Sequence, residues 1–160
     1  MIVNSNVKRG LVESEYNQRR EQCERVAKYF NASALRAVTL AELESEQENL
    51  TELDYKRARH VITENQRTLD ALEALKANDV SQLGRLMNAS HSSLKNDFAT
   101  STTEMDCLVA LMQSQIAEQG GARMTGGGFG GCVVAVMPKT LVEAVTQTCL
   151  LYTSPSPRDS

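Results

Sequence analysis

The run Ala122-Arg123-Met124-Thr125-Gly126-Gly127-Gly128-Phe129-Gly130-Gly131-Cys132-Val133-Val134-Ala135-Val136-Met137 decides how this chain is read. Five of the nine glycines in 160 residues fall between Gly126 and Gly131. Glycine tolerates positive φ and lets backbone approach another group closely, at an entropic cost. Its concentration here implies a tight turn, an anion cradle, or a surface packed against other backbone. Gly126, Gly128 and Gly131 satisfy G-x-G-x-x-G, which marks a dinucleotide site only where a strand precedes it and a helix comes next. Here the next residues are Cys132 to Met137, a short, β-branched run closed by Pro138, which reads as a buried strand. A Walker loop needs a terminal Gly-Lys-Ser/Thr, and the run contains no lysine. The glycines therefore form a link into a strand. A plain turn between two strands remains the simplest account.

Working outward, the totals narrow the class. A chain of this length supports one domain with a real core. Apolar residues make up 41% and charged residues 23%, in the range of soluble globular proteins. The net charge of −3 comes without a basic block, which argues against general nucleic-acid binding. No apolar run approaches the roughly 20 residues of a membrane helix, and Met1-Ile2-Val3-Asn4 does not read as a signal peptide. Cys23, Cys107, Cys132 and Cys149 show no C-x-x-C spacing. Zinc and disulfide frameworks are disfavoured and a reducing cytoplasm is expected. His60 and His91 are the two histidines, and no further ligands stand at useful spacing, so no metal site is assigned.

The remaining elements read mostly as helices. Met1 to Lys8 predicts a strand leading to a loop at Gly10. Ser14 to Phe30 predicts a helix, with Ser14 as N-cap, Asn17 at the capping-box position, and Tyr16, Cys23, Val26, Ala27 and Phe30 as its apolar stripe. Arg20 and Glu24 are one turn apart and suited to pair. The Arg19-Arg20 doublet reads as a solvated or interdomain salt-bridge face. Leu35, Val38, Leu40 and Leu43 suggest short helical turns. Asp54 to Lys76 is the strongest helix, with Val61, Ile62, Leu69, Leu72 and Leu75 near helical spacing. Val80 to Leu94 is the next, with Asp79 as N-cap, and the pair reads as an αα-hairpin over one sheet face. His91 reads as a hydrogen-bonded packing residue. Asp97, a carboxylate after a helix, could act as a base. Thr103 to Gln119 predicts a helix stopped by Gly120-Gly121, and Lys139 to Thr148 begins another. The sum is an α+β fold: a small, mostly antiparallel sheet with helices packed on one side.

Met124-Thr125-Gly126-Gly127-Gly128-Phe129-Gly130-Gly131-Cys132 resembles the third signature motif of galactokinases, members of the superfamily of galactokinase, homoserine kinase, mevalonate kinase and phosphomevalonate kinase. Three further stretches agree in order: Glu15 to Glu24, Arg57 to Asn65, and Ala89 to Phe98. The resemblance lies across roughly Met1 to Gln147. The resemblance implies the ferredoxin-like C-terminal domain of this superfamily, within a soluble, monomeric enzyme that phosphorylates galactose at its anomeric hydroxyl with ATP and Mg²⁺. It implies that Tyr16 contacts the sugar, a task that suits a phenol whose hydroxyl bonds a sugar oxygen while its ring packs on a C–H face. From pattern alone Tyr16 is a core-edge aromatic. Gly126, Gly127, Gly128, Phe129, Gly130 and Gly131 would support the nucleotide-phosphate loop or offer N–H groups to the phosphates.

The sugar-binding motif, nucleotide loop and catalytic Asp of such enzymes have no counterpart here. No catalytic residue is therefore assigned in this chain, Asp97 included, and the chain alone is expected to be inactive. Residues 1–12 read as a strand and connection from a missing N-terminal part, and 13–148 as the C-terminal domain. Residues 149–160, with Pro155 and Pro157, read as a non-native tail. Two other readings stay open: a non-catalytic sugar sensor of galactokinase type, and a sibling kinase for N-acetylgalactosamine.

Overall fold

The computed structural model describes residues 1–8 and 12–153. The elements are β1 (Ile2–Asn4), α1 (Val12–Tyr29), a 3₁₀ turn (Leu35–Ala37), α2 (Leu40–Ser45), a second turn (Gln47–Asn49), α3 (Glu52–Lys76), α4 (Val80–Asn96), α5 (Thr103–Ile116), β2 (Gly121–Met124), β3 (Cys132–Val136) and α6 (Val142–Thr153). The three strands lie in the order β1-β3-β2, all antiparallel, with Ile2 opposite Val134 and Gly121 opposite Val136. This is the expected α+β architecture. The expected loop at Gly10 and the prolines of the tail lie outside the described residues.

Local chemistry sets the element boundaries. Thr39 caps α2 in a full capping box with Glu42, and Thr51, Asp79 and Thr102 accept the N–H groups of Asp54, Gln82 and Met105 at the starts of α3, α4 and α5. Ser14 does not cap α1: the helix already runs from Val12, so Ser14 and Asn17 sit within it. α5 ends earlier than its glycines suggested, at Ala117 with φ +50.

Three apolar clusters form the core. Leu108, Val109, Met112 and Ile116 of α5 pack with Val145 and Cys149 of α6 on Ala122, Val133 and Ala135 of the sheet. Val26 and Ala27 of α1 pack with Leu35, Val38, Leu43 and with Tyr55, Ala58 and Ile62 of α3. Leu94, Met105 and Met124 form a small third cluster with Phe98 beside it. Periodicity predicts that the leucines in the C-terminal half of α3 continue its buried stripe. They do not: Leu69, Leu72 and Leu75 are exposed, because α1 and α2 cover only the first half of that helix.

The α3–α4 hairpin covers an edge rather than a face of the sheet. α4 runs along the outer side of β2, where Asn88 Oδ1 accepts the N–H of Ala122 at 2.9 Å and His91 Nδ1 that of Met124 at 3.2 Å. These are strand donors that would otherwise point outward, and burying them unpaired is costly. The backbones approach so closely that a Cβ on Gly84 would lie 2.0 Å from the carbonyl of Gly120.

The helix that spans the boundary expected at residue 148 runs past it. α6 continues to Thr153, and Cys149 is buried in the main core. β1, expected as a strand, pairs with β3, and Met1 and Ala135 exchange backbone hydrogen bonds at 2.9 Å.

Candidate functional site

The glycine run is the connection between β2 and β3. Thr125 N–H donates to Cys132 O at 2.9 Å to close the strand pair, and the chain between them turns through positive φ at Gly126 (+81), Gly128 (+84), Phe129 (+58), Gly130 (+123) and Gly131 (+102). Gly128 has no room for a side chain: a Cβ there would stand 2.3 Å from Thr100 O. Gly127 is the opposite case, with nothing within 4 Å of its Cβ position. The loop is thus closely backed on its Gly128–Gly130 side, while Gly126 and Gly127 present bare backbone to solvent.

Gly130 is backed by Val7, whose carbonyl would lie 2.6 Å from a Cβ there, and Gly128 and Phe129 by the segment after α4. Asp97 caps that helix, and the next three residues turn back through Ala99, a non-glycine at φ +52. Four successive carbonyls there are each taken by a donor. Arg57 Nη1 donates to Asp97 O. Arg19 donates through Nε to Phe98 O at 2.7 Å and through Nη2 to Ala99 O at 3.0 Å. Phe129 N–H donates to Thr100 O at 2.7 Å. The Arg19 guanidinium also lies 5.8 Å from the centre of the Phe129 ring.

α3 holds the same turn from beneath. The Asp97 carboxylate accepts from Arg59 and from Ser93 Oγ, and Ser93 Oγ lies 2.9 Å from His60 Nδ1. Since the serine proton goes to Asp97, His60 Nδ1 carries the ring proton and donates it to Ser93. The His60 ring stacks on Phe98 at 4.5 Å, and burial pulls its pKa down to about 4, which keeps it neutral. Both oxygens of the Asp97 carboxylate thus serve as acceptors within the domain.

His91 is the expected packing histidine. Because its Nδ1 accepts the Met124 N–H, the ring proton sits on Nε2, which faces Asp106 Oδ1 at 3.2 Å, an ion-pair distance without hydrogen-bond alignment. Burial lowers its pKa more than Asp106 raises it. Asp106 in turn accepts from Ser101 Oγ at 2.6 Å, next to the turn that backs the loop.

Tyr16 lies on α1 and is 53% exposed, so its ring is offered outward rather than sealed in the core. Arg19, three residues on, is buried with Glu15 3.2 Å from its Nη1. Of the doublet's expected reading as a solvated or interdomain salt-bridge face, this corrects the solvated part for Arg19. Only Arg20 fits that description, pairing with Glu24 at 3.4 Å on the surface. The sequence does hold a clue: positions 16, 19, 23, 26 and 30 fall on one helical stripe, and Arg19 is the charged residue within it.

A cavity of about 550 Å³ lies elsewhere, between α2 and α3, lined by Val38, Leu40, Ile62, Arg67 and Leu69 among others. It contains neither Tyr16 nor a loop glycine. The described residues contain no grouping of three or more His, Cys, Asp or Glu that could hold a metal, and none of their helices is long and apolar enough to cross a membrane.

The family model "GHMP kinases C terminal" matches residues 71–149, a span that holds most of the sheet and the glycine hairpin. The chain is 57% identical over 150 residues to the galactokinase of Actinobacillus succinogenes, a match that covers 92% of this chain and 39% of that protein. It is 56% identical over 148 residues to the galactokinase of Mannheimia succiniciproducens, over 91% of this chain and 38% of that protein. Among solved structures, Lactococcus lactis galactokinase complexed with galactose superposes with a TM-score of 0.87 at 35% identity, over 95% of this chain and 40% of that one. The mevalonate kinase of L. major in complex with R-mevalonate shares the fold alone, with a TM-score of 0.57 at 21% identity, over 96% of this chain and 38% of that one. Residues 71–149 belong to the C-terminal family of GHMP kinases, and both relatives above are galactokinases. The chain spans about two-fifths of the length of those relatives.

Proposed function

We propose that this chain is the C-terminal part of a galactokinase, an enzyme that transfers the ATP γ-phosphoryl group to the anomeric hydroxyl of galactose. The observation that carries the reading is 57% identity to a galactokinase sustained through 92% of the chain. In this reading the outward-facing Tyr16 meets the sugar. The exposed backbone at Gly126 and Gly127 meets the phosphate side, and Gly128 to Gly131 with Phe129 hold that backbone in place.

Phosphoryl transfer rests on positioning and charge stabilisation, so a rigid loop beside a sugar-contacting helix is the contribution such a domain makes. The donors in the described residues do not compose a Mg²⁺ site. ATP is the second substrate. Four free cysteines suit a reducing cytoplasm, and we place the enzyme there as a monomer.

The test joins residues 1–153 to the N-terminal part of the Actinobacillus succinogenes galactokinase and measures sugar-dependent ADP release. Galactose is expected to support turnover better than N-acetylgalactosamine. Tyr16→Ala is expected to raise KM for galactose about tenfold, the worth of one lost sugar contact. A folded chimera that phosphorylates no sugar overturns the reading, and turnover only with N-acetylgalactosamine redirects it to the sibling kinase. The chain alone is expected to release no ADP.

A further inference from the structure

We infer that Arg19 is a positioning residue that locks the sugar-facing helix α1 to the glycine loop, so that both sides of the site move as one body; this rests on the galactokinase reading for its functional meaning. The geometry stands without that reading. Arg19 is 7% exposed and occupies a core-facing place on α1 where an apolar side chain would pack at lower cost. Its planar fork reaches two successive carbonyls, Phe98 O and Ala99 O, and its face lies over the Phe129 ring. A lysine ammonium cannot hold two diverging carbonyls in fixed directions.

The two segments so joined are the two that need holding. Ala99 and Phe129 are both non-glycine residues in the left-handed region, at φ +52 and +58, a conformation that persists only when its surroundings impose it. They are linked by the Phe129 N–H to Thr100 O bond, and Arg19 grips both sides of that link. At the other end of the guanidinium, Glu15 pairs with Nη1 one turn earlier on α1, and Tyr16 is its immediate neighbour in the chain. A displacement of the turn at 98–100 is thereby transmitted to the helix that carries Tyr16. Arg20, adjacent but exposed, has no such reach.

The test uses Arg19→Lys and Phe129→Leu, with Arg20→Lys as control. In the 160-residue chain, amide hydrogen exchange is read at Phe129 and at Val133 and Ala135 of β3. Arg19→Lys and Phe129→Leu are expected to speed exchange at Phe129 about tenfold, with the β3 amides and the Arg20→Lys variant unchanged. Should Arg19→Lys fail to fold, Phe129→Leu, which leaves both carbonyl bonds in place, decides by the same reading. In the chimera with the Actinobacillus succinogenes N-terminal part, Arg19→Lys is expected to lower kcat about tenfold and to raise KM for both galactose and ATP, since both contacts lose their common mount. Unchanged exchange at Phe129 overturns the inference. So does faster exchange with kcat and both KM values per folded enzyme unchanged, which would leave Arg19 a stability residue only. An inactive wild-type chimera strikes the kinase reading instead and leaves the exchange result to decide the coupling within the domain.

Discussion

Replacing Gly128 by alanine isolates the reason for one glycine in the loop, and Gly127→Ala supplies the internal control one residue away. Two costs add at Gly128. The residue sits at φ +84, where an L-residue loses about 1–2 kcal/mol against the right-handed region. Its new Cβ would also stand 2.3 Å from Thr100 O and 2.7 Å from Thr100 Cβ. That carbonyl must then withdraw from Phe129 N–H, which costs about 1 kcal/mol more for the hydrogen bond. The sum is about 2–3 kcal/mol, a fall in Tm of about 6–10 °C for a domain of this size. Gly127→Ala meets no atom within 4 Å and is expected to stay within about 0.5 kcal/mol of the parent. Urea unfolding followed by far-UV circular dichroism gives both values from the shift in midpoint at constant slope. Equal midpoints for the two variants would refute the claim that the loop is backed on one side and open on the other.

Other parts of the structure give three further outcomes. Gly84→Ala should destabilise by about 2–3 kcal/mol although alanine favours an isolated helix by about 1 kcal/mol, because its Cβ would meet Gly120 backbone at 2.0 Å; a stabilised variant in the same urea assay would show that α4 and β2 can separate freely. Thr100→Val should stabilise by about 1 kcal/mol, since the buried Thr100 Oγ1 has no hydrogen-bond partner among the described residues and the shape is kept; a loss of stability would reveal a partner for that hydroxyl. His60 should make folding acid-sensitive. Its folded pKa of about 4 lies below the ordinary 6.5, so the unfolded chain binds the proton first, and stability present above pH 6.5 is lost as pH falls toward 4, by about 3 kcal/mol in all. His91, shifted in the same direction by burial, adds to this. Glu64, raised by burial but brought net below its usual value by Ser90 and Arg67, acts only lower still. Stability measured between pH 4.5 and 6.5 should therefore fall less steeply in His60→Gln, and equal slopes would contradict a neutral buried His60.

The features legible in the sequence are those that one element decides for itself. The Asp79 cap, the strand after the glycines and the helical spacing of Met105, Leu108, Val109, Met112 and Ile116 in α5 are local features, and the structure has the cap, the strand and the buried stripe at those residues. Hidden from local spacing is which faces find partners. Leu69, Leu72 and Leu75 carry the period of a buried stripe, but among the described residues no element buries them, and periodicity cannot report which faces find a neighbour. The apolar stripe of α4 suggests a place over a sheet face. Asn88 and His91, which cap the edge of β2 through side chains, show its true place only once the strand beside it is known. Arg19 reads as a surface charge by its type, although its position on the stripe of α1 contradicts its type.

That contradiction points to the physical logic of the site. Left-handed φ is unfavourable in a free chain at Ala99 and Phe129, and these two residues keep it where four carbonyls from Asp97 to Thr100 are each met by a donor from somewhere else. Three of the four are met by buried arginines from different helices, α1 and α3, and the last by the loop itself. No short window of sequence contains that arrangement. The glycines state that an unusual backbone is wanted, and the arginines state what holds it. With its Gly128–Gly130 side so closely backed, the loop can yield only at Gly126 and Gly127, where bare backbone faces solvent. Gly126 and Gly127 are therefore where the loop offers its most exposed backbone to a bound group.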